Sequence, residues 1–434
     1  MKIGLINFNH RGFLELGVPP VPPIGLEYLV DNLVLKNHEA YLLDLCFLDP
    51  KEKTYAIEDF VYGKDVIGIT LRNIGIDNFR MLDQQFFADE LRQIVKIVQG
   101  VTSVPIVLGG QGFSIYPHDI LDYVNADFGI SGPGEIAFCN LLGNIHDVHR
   151  GTIFTGIPNL GIVHHRALID YGPYISNGGS PAIQTKIGCK QNCGFCVEKT
   201  KIVRKRELNA VFEELKLVLN RKFQFIYIAV AEFNSDILQA NQFCDRILQE
   251  SIKFSWSAYL NPIPLTEELV KKMKAAGCVM PCISVTSGDD NTLKTLETGF
   301  SIREIRRMAE WFHKYDFPFS VDILFGSPGE TIDSSKKTIA LMNEIQPNVI
   351  GMNLGLRIYN DTNFGRRFIA KEFPLDGTLY GKVENNDNLF FPIFYISDIN
   401  IEKYLQDICD SDKRYRLLGY SGFEGVNYKV ASIG

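Results

Sequence analysis

Long basic runs, long apolar runs and an even set of cysteines are what this 434-residue sequence lacks. Its 44 Lys and Arg stand against 51 Asp and Glu, a formal net charge of −7. No basic run is available to neutralise a phosphate backbone, so nucleic acid is not expected as the main partner. No window reaches about 18 uninterrupted apolar residues, which leaves no membrane span to expect. The segment Met1 to Asn9 has one Lys and a short apolar run without a small-residue cleavage site. It reads as a first strand rather than a signal peptide, and a cytoplasmic location is expected. The 9 cysteines are odd in number, with three inside eight positions, which argues against a disulfide framework and for metal ligation in a reducing compartment.

What is present is a globular composition, 46% hydrophobic, 12% aromatic and 22% charged, in a length that suits about two or three domains. Over residues 1–145, apolar runs of strand length alternate with stretches of helical period. This is the pattern of an α/β fold with a Rossmann-like, doubly wound parallel sheet. Strands are predicted at Lys2 to Phe8, Glu39 to Leu45, Val66 to Leu71, Ile106 to Leu108 and Phe128 to Ile130, with helices over Gly25 to Leu33 and Phe86 to Val98. A ligand of such a sheet lies beyond the carboxyl ends of its strands, near a topological switch point. Residues 146–178 read as a linker.

Three loops in this half invite a ligand. Pro19 to Pro23, just before Gly25, is either a stiff lead into the first helix that shapes a site or simply a rigid loop. Gly109-Gly110-Gln111-Gly112-Phe113-Ser114 follows a strand and lets a bulky molecule lie against bare backbone. Gly132-Pro133-Gly134-Glu135 follows the fifth strand, with a structural turn as the alternative.

The most specific signal is Cys189-Lys190-Gln191-Asn192-Cys193-Gly194-Phe195-Cys196, after a predicted strand Ala182 to Ile187. Three thiolates on a short loop can hold three irons of a [4Fe-4S] cluster and leave the fourth open to a substrate or cofactor. Structural zinc would ask for a fourth Cys or His, and none other occurs between Ile187 and Asp236. Gly188 and Phe195 suit a tight loop around a bulky cluster. Cys278 and Cys282 read as small core residues rather than a second metal site.

This loop resembles the radical SAM signature, and the resemblance continues through a partial (β/α)6 TIM-like barrel over residues 179–365. Taken in order, the pieces of the first 145 residues resemble the cobalamin-binding domain of cobalamin-dependent radical SAM enzymes, of the class B methyltransferase type. The resemblance implies a [4Fe-4S] cluster on Cys189, Cys193 and Cys196, S-adenosylmethionine on its open iron, and a bound cobalamin. It implies cobalamin contacts from Pro23, Gly25, Leu71, Arg72, Asn73, Gly109, Gly110, Gln111, Ser114, Gly132, Gly134 and Glu135. The sequence Asp-x-His-x-x-Gly is missing, since Asp147-Val148-His149-Arg150-Gly151 is one residue too short. No histidine on cobalt is therefore predicted, and Arg72 is the candidate for the lower face.

In the barrel, Ala231-Glu232-Phe233-Asn234 stands where the family carries a Gly-Gly-Glu-like segment; the glycines are absent, so the resemblance gives the contact with S-adenosylmethionine to Glu232 or to backbone carbonyls, with Asn234 as a further contact. The same resemblance assigns Phe195, Ser257, Ser287, Gly326, Pro328 and Arg357 to cofactor binding and Tyr359 to catalysis. Thr286 replaces the usual Glu before Ser-Gly. Thr266 and Ser301 are predicted N-caps. Gly355 to Thr362 resembles the sixth barrel strand, and residues 366–434, aromatic from Phe373 to Tyr395, are expected to cap the barrel and help choose the substrate.

The implied enzyme is a C-methyltransferase. It moves a methyl group from S-adenosylmethionine, via methylcobalamin, to an unactivated or aromatic carbon of a small-molecule substrate, natural-product or cofactor-like. Flavodoxin or ferredoxin is the implied electron donor. Two alternatives stay open: a cyclase or ring-rearranging enzyme built from the same domains, and a radical SAM enzyme whose first domain no longer binds cobalamin.

Overall fold

The computed structural model describes residues 1–8, 19–75, 79–80, 86–198, 202–221, 223, 225–372 and 376–420. Asn9, Phe373 and residues 421–434, which belong to the readings above, lie outside them. Among the described residues the chain forms two compact units. One takes residues 1–8, 20–75 and 86–179, and the other takes residue 19, residues 79–80 and those from 180 onward.

The first unit is a six-stranded parallel sheet of β1 (Lys2–Phe8), β2 (Glu39–Asp44), β3 (Val66–Leu71), β4 (Ile106–Gly109), β5 (Phe128–Ser131) and β6 (Ile153–Thr155), in the order β2-β1-β3-β4-β5-β6. The central strands are buried along almost their whole length, as strands covered on both faces must be. Ile3, Leu5, Val66, Val107 and Ile130 pack with Leu29, Leu33, Phe138 and Leu141 of helices Ile24–Leu35 and Glu135–Asn144. Helices Pro50–Val61, Ala88–Val101 and Pro117–Val124 turn their own apolar residues into the core. Pro50 and Pro117 open their helices, where a missing N–H costs nothing. The chain direction reverses at β1, so the switch point lies between β1 and β3, as a doubly wound sheet requires.

Residues 146–178 differ from the expected linker. They add β6 to the sheet edge, paired as Gly129↔Ile153 and Ile130↔Phe154, and then pack back on the first helix. Buried His164 stacks on Tyr28 with ring centroids 3.6 Å apart, and the His165 N–H donates to Asp31 at 2.9 Å.

The second unit carries a seven-stranded, wholly parallel sheet. Its strands are β7 (Ala182–Ile183), β10 (Phe225–Ile228), β11 (Ser255–Leu260), β12 (Cys282–Thr286), β13 (Ser320–Phe325), β14 (Val349–Leu354) and β18 (Tyr415–Leu417). Between them, β8 (Lys186–Ile187) and β9 (Arg204–Lys205) form a hairpin, and β15 (Leu356–Arg357), β16 (Thr378–Gly381) and β17 (Ile393–Ile396) form a small antiparallel sheet. Alternate residues split the large sheet's two faces. Ile226, Trp256, Ala258, Ile283, Val321, Ile323, Phe325 and Met352 join Phe212, Phe243, Met273, Met308, Phe312 and Met342 of the covering helices in one core. Thr266 caps helix Glu267–Ala275 by accepting the Leu269 N–H, and Ser301 with Glu304 forms a capping box on helix Ile302–Lys314.

Three expectations are corrected here. The strand Ala182 to Ile187 breaks at Gln184 and Thr185, whose carbonyls are taken by Arg206. The sixth parallel strand is Val349–Leu354, not Gly355 to Thr362, which turns away at Gly355 (φ 89°) into the antiparallel sheet. The region after residue 365 is more than a cap, because Tyr415–Leu417 supplies an edge strand to the parallel sheet.

Candidate active site

The cysteine loop leaves β8 through Gly188 at φ 92°, a backbone conformation that suits glycine. The Gln191 N–H points to Cys189 Sγ at 3.4 Å, and Gln191 Nε2 donates to the Ile263 carbonyl at 2.8 Å. Gly194 donates to Leu296 at 3.0 Å and accepts from Phe364 at 3.0 Å, and a Cβ there would press on the Phe364 ring. Phe195 packs against the cluster of Leu296, Phe364, Ile393 and Tyr395. The loop is thus bolted to the barrel by backbone bonds and one aromatic plug, so its three sulfurs are pre-positioned.

Burial pushes all three thiols up, Cys193 and Cys196 to about 12; the Glu232 carboxyl adds to the effect at all three, and neighbouring sulfurs add to it at Cys193 and Cys196. Cys189, Cys193, Cys196 and Glu232 therefore share one electrostatic neighbourhood. Such a set ionises readily only when cations enter it. Among the described residues no three His, Cys, Asp or Glu side chains are grouped to hold a single metal ion. A cubane spreads its ligands over three irons, so its cysteines stand farther apart than the ligands of one ion. Three thiols on one short loop are a donor set that fits an iron–sulfur cluster.

Around them lie groups that motif reading passed over. Lys186 is buried and donates to the Phe233 carbonyl; burial lowers it to about 8, against the pull of Asp236, Cys189 and Glu232. Glu198 is raised by burial. Both needed the folded hairpin to be found.

Several of the predicted site residues also make bonds within the protein. Asn234 spends its amide on the Asn261 and Pro264 carbonyls, at 2.7 and 2.5 Å, and its oxygen on the Asn261 N–H at 3.0 Å. These bonds brace the loop after β11. The Ser257 hydroxyl donates to the Met280 carbonyl at 2.6 Å. Ser287 is buried, with its Oγ 3.3 Å from Thr338 and accepting the Asp289 N–H at 3.2 Å. Arg357 lies over the Tyr359 ring at 4.6 Å, both buried, on the small antiparallel sheet. The Gly326-Ser327-Pro328-Gly329-Glu330 turn is sharply built, with φ 80° at Gly326, φ 75° at Gly329, and Glu330 accepting the Ser327 N–H at 3.0 Å. Cys278 is a member of the core, and Cys282 is equally buried.

In the first unit the candidate loops do come together at the carboxyl ends of the strands. The Gly112 N–H donates to the carbonyls of Leu71 and Arg72, at 2.9 and 2.8 Å. The Ser114 hydroxyl donates to Gly110 and accepts from Gly132, both at 2.8 Å, tying the loop after β4 to the loop after β5. A Cβ on Gly110 (φ 101°) would meet the Leu71 carbonyl at 2.5 Å, so glycine is required there. Gly25 and Gly134 face open space and present bare backbone, while Pro23 is buried and Arg72, Asn73 and Gln111 keep accessible surface. Glu135 is buried at the start of its helix. This edge fits a large ligand held by backbone. His149 stands at the opposite, amino end, beside the Asp127 turn before β5, which removes it from any site on the carboxyl edge. Sequence reading missed the knot of Asp44, Asn7 and Tyr174 on the same edge, where Asp44 accepts from both, at 2.9 and 2.5 Å.

Residues 183–342 match the model of the radical SAM superfamily. The tryptophan 2-C-methyltransferase of Streptomyces laurentii is 24% identical, over 93% of this chain and 81% of its own. The solved radical S-adenosylmethionine methyltransferase TsrM from Kitasatospora setae, bound to tryptophan and a SAM analogue, superposes with a TM-score of 0.86 at 21% identity, covering 99% of this chain and 94% of that one. OxsB, a cobalamin-dependent S-adenosylmethionine radical enzyme solved with aqua-cobalamin and S-adenosylmethionine, gives 0.74 at 14% identity, covering 94% and 66%. Residues 183–342 are therefore a radical SAM domain, in a chain whose fold is that of the cobalamin-dependent radical SAM enzymes TsrM and OxsB.

Proposed function

We propose that this chain is a cobalamin-dependent radical SAM C-methyltransferase acting on an aromatic carbon of a small molecule, with tryptophan as the first candidate. The observation that carries this reading is the loop of Cys189, Cys193 and Cys196 sharing one electrostatic neighbourhood with Glu232, in a chain aligned over 93% of its length with a tryptophan 2-C-methyltransferase. When bound, the cluster and the corrinoid supply electron and methyl-carrier chemistry that side chains lack.

The chain's own residues hold and orient. Cys189, Cys193 and Cys196 bind three irons and leave one open. Glu232 stands ready for the methionine amino group, and the Gly326 to Gly329 turn offers close backbone to the adenine. Leu71 to Asn73, with Arg72 as its cation, Gly109 to Ser114 and Gly132 to Glu135 would form the backbone rim that holds a corrinoid. The 9 cysteines are all free, in keeping with a reducing compartment and a flavodoxin or ferredoxin as electron donor.

The test begins with an anaerobically reconstituted sample given hydroxocobalamin, desalted, and counted for iron and cobalt. About four irons and equimolar cobalt, followed by a tryptophan product heavier by one methylene unit, support the reading. Iron without retained cobalt overturns it.

A further inference from the structure

Lys186 is an interior cation that none of the roles above employs. It stands on β8 just before the turn through Gly188 to Cys189, and it is 1% exposed, whereas Lys205, its partner across the hairpin, is exposed. Its ammonium donates to the Phe233 carbonyl, in the short turn that follows Glu232, and lies 5.6 Å from the Phe233 ring centroid. That turn is itself fixed in the core, where Phe233 packs on Phe243 and Trp256. The charge is therefore held at one place, tied at its base to the cysteine loop and at its tip to the Glu232 turn. Taking an ammonium out of water is costly unless opposite charge answers it. Here the hydrogen bond goes to a neutral carbonyl, and Asp236, which acts on Lys186 through space, is itself engaged by Lys205 at 3.2 Å and by the Gln239 N–H at 3.0 Å. Cys189 and Glu232 also act on Lys186, and Lys186 in turn acts on the Cys189 thiol.

We propose that Lys186 is a fixed cation that raises the reduction potential of the cluster on Cys189, Cys193 and Cys196, bringing it closer to the range of a flavodoxin or ferredoxin donor. The inference rests on the cluster of the methyltransferase reading and adds how the chain adjusts it. Three thiolates make the liganded cubane net negative, and one-electron reduction adds a further negative charge. A cation nearby favours the more negative state, and a buried one does so more than an exposed one because little water screens it. At neutral pH Lys186 carries its charge, since burial lowers it only to about 8. Its role is one of tuning rather than catalysis.

The experiment compares wild type, Lys186→Met, Lys186→Gln, Lys186→Arg and Lys190→Met as full-length chains reconstituted with both cofactors, in the absence of S-adenosylmethionine. Iron is counted, and the midpoint potential of the cluster is read by mediated redox titration from the EPR signal of its reduced form, which is distinct from that of Co(II). The expected result is an unchanged iron count and a reduced-to-oxidised ratio at fixed potential about tenfold lower in Lys186→Met, a shift of ~59 mV to lower potential. Lys186→Gln, which keeps a donor for the Phe233 carbonyl but no charge, should shift likewise, and Lys186→Arg should restore the wild-type potential. Lys190→Met removes an exposed cation from the cysteine loop itself and should shift less. No shift or an upward shift in the neutral variants, a wild-type potential in Lys186→Gln, an equal fall in Lys186→Arg, or a shift as large in Lys190→Met overturns the inference. Where Lys186→Met loses its iron, Lys186→Gln decides by the same criterion; loss of iron from both makes Lys186 a support of the loop and overturns the tuning role. Absence of a cluster from wild type overturns the methyltransferase reading and this inference together, whereas a cluster without retained cobalt overturns that reading alone.

Discussion

Glu330 Oε2 accepts the Ser327 N–H at 3.0 Å, closing the turn that follows β13 from within, and its Oε1 accepts the Ser335 hydroxyl at 3.1 Å. Burial dominates these bonds and pushes Glu330 up to about 7. A raised carboxyl binds its proton more tightly in the folded chain than in the unfolded one. Its contribution to stability is therefore complete below the ordinary range near 4.5 and is lost as pH rises through about 7. Glu330→Gln does not titrate; its amide oxygen can accept the Ser327 N–H while its NH2 donates to the Ser335 hydroxyl. Denaturation at pH 5 and pH 8 should show wild type losing about 3 kcal/mol more than this variant over that window. Equal losses would remove Glu330 from the account.

The proposed corrinoid rim depends on a close backbone approach in the first unit. A Cβ on Gly112 would stand 2.5 Å from the Asn73 carbonyl carbon and 2.6 Å from the Ile74 nitrogen. Gly112→Ala should push the Leu71 to Ile74 loop away, cost about 1–3 kcal/mol and lower cobalamin retention, while the iron count stays at the wild-type value. Unchanged cobalt retention after desalting would show that this loop is not part of the rim.

How much of this was legible depended on how local each cause is. The cysteine loop, the Gly326 to Glu330 turn and the caps at Thr266 and Ser301 are written in consecutive residues, so pattern alone finds them. β6 escaped because Ile153–Thr155 is three residues long and only its edge pairing with β5 makes it a strand. The break after Ile183 comes from Arg206, which claims two carbonyls about twenty residues upstream. The bracing bonds of Asn234 were not legible because its partners Asn261 and Pro264 lie beyond the next helix.

The hairpin that carries the cysteine loop is anchored by a buried ion pair. Arg206 Nη1 lies 2.6 Å from Glu214 Oε2, with both side chains almost wholly buried, and donates also to the Gln184 carbonyl at 3.0 Å. Removing one partner strands a buried charge. Arg206→Met should cost about 3–5 kcal/mol in urea denaturation, and pairing it with Glu214→Leu should restore much of that loss. A single variant as stable as wild type would show the pair to be dispensable.

The cluster assignment itself is tested by separating ligand from core cysteines. Cys193 shares its electrostatic neighbourhood with Cys189, Cys196 and Glu232, whereas Cys278 is 3% exposed within the apolar core. Cys193→Ala should abolish the cluster's visible absorption and the bound iron, because two remaining thiolates cannot hold a cubane against loss. It should leave cobalamin retention intact, since the corrinoid rim belongs to the other unit. Cys278→Ala should keep its iron and lose only about 1 kcal/mol of stability, the cost of a small cavity. Iron retained by Cys193→Ala, or lost by Cys278→Ala, would reverse the two roles.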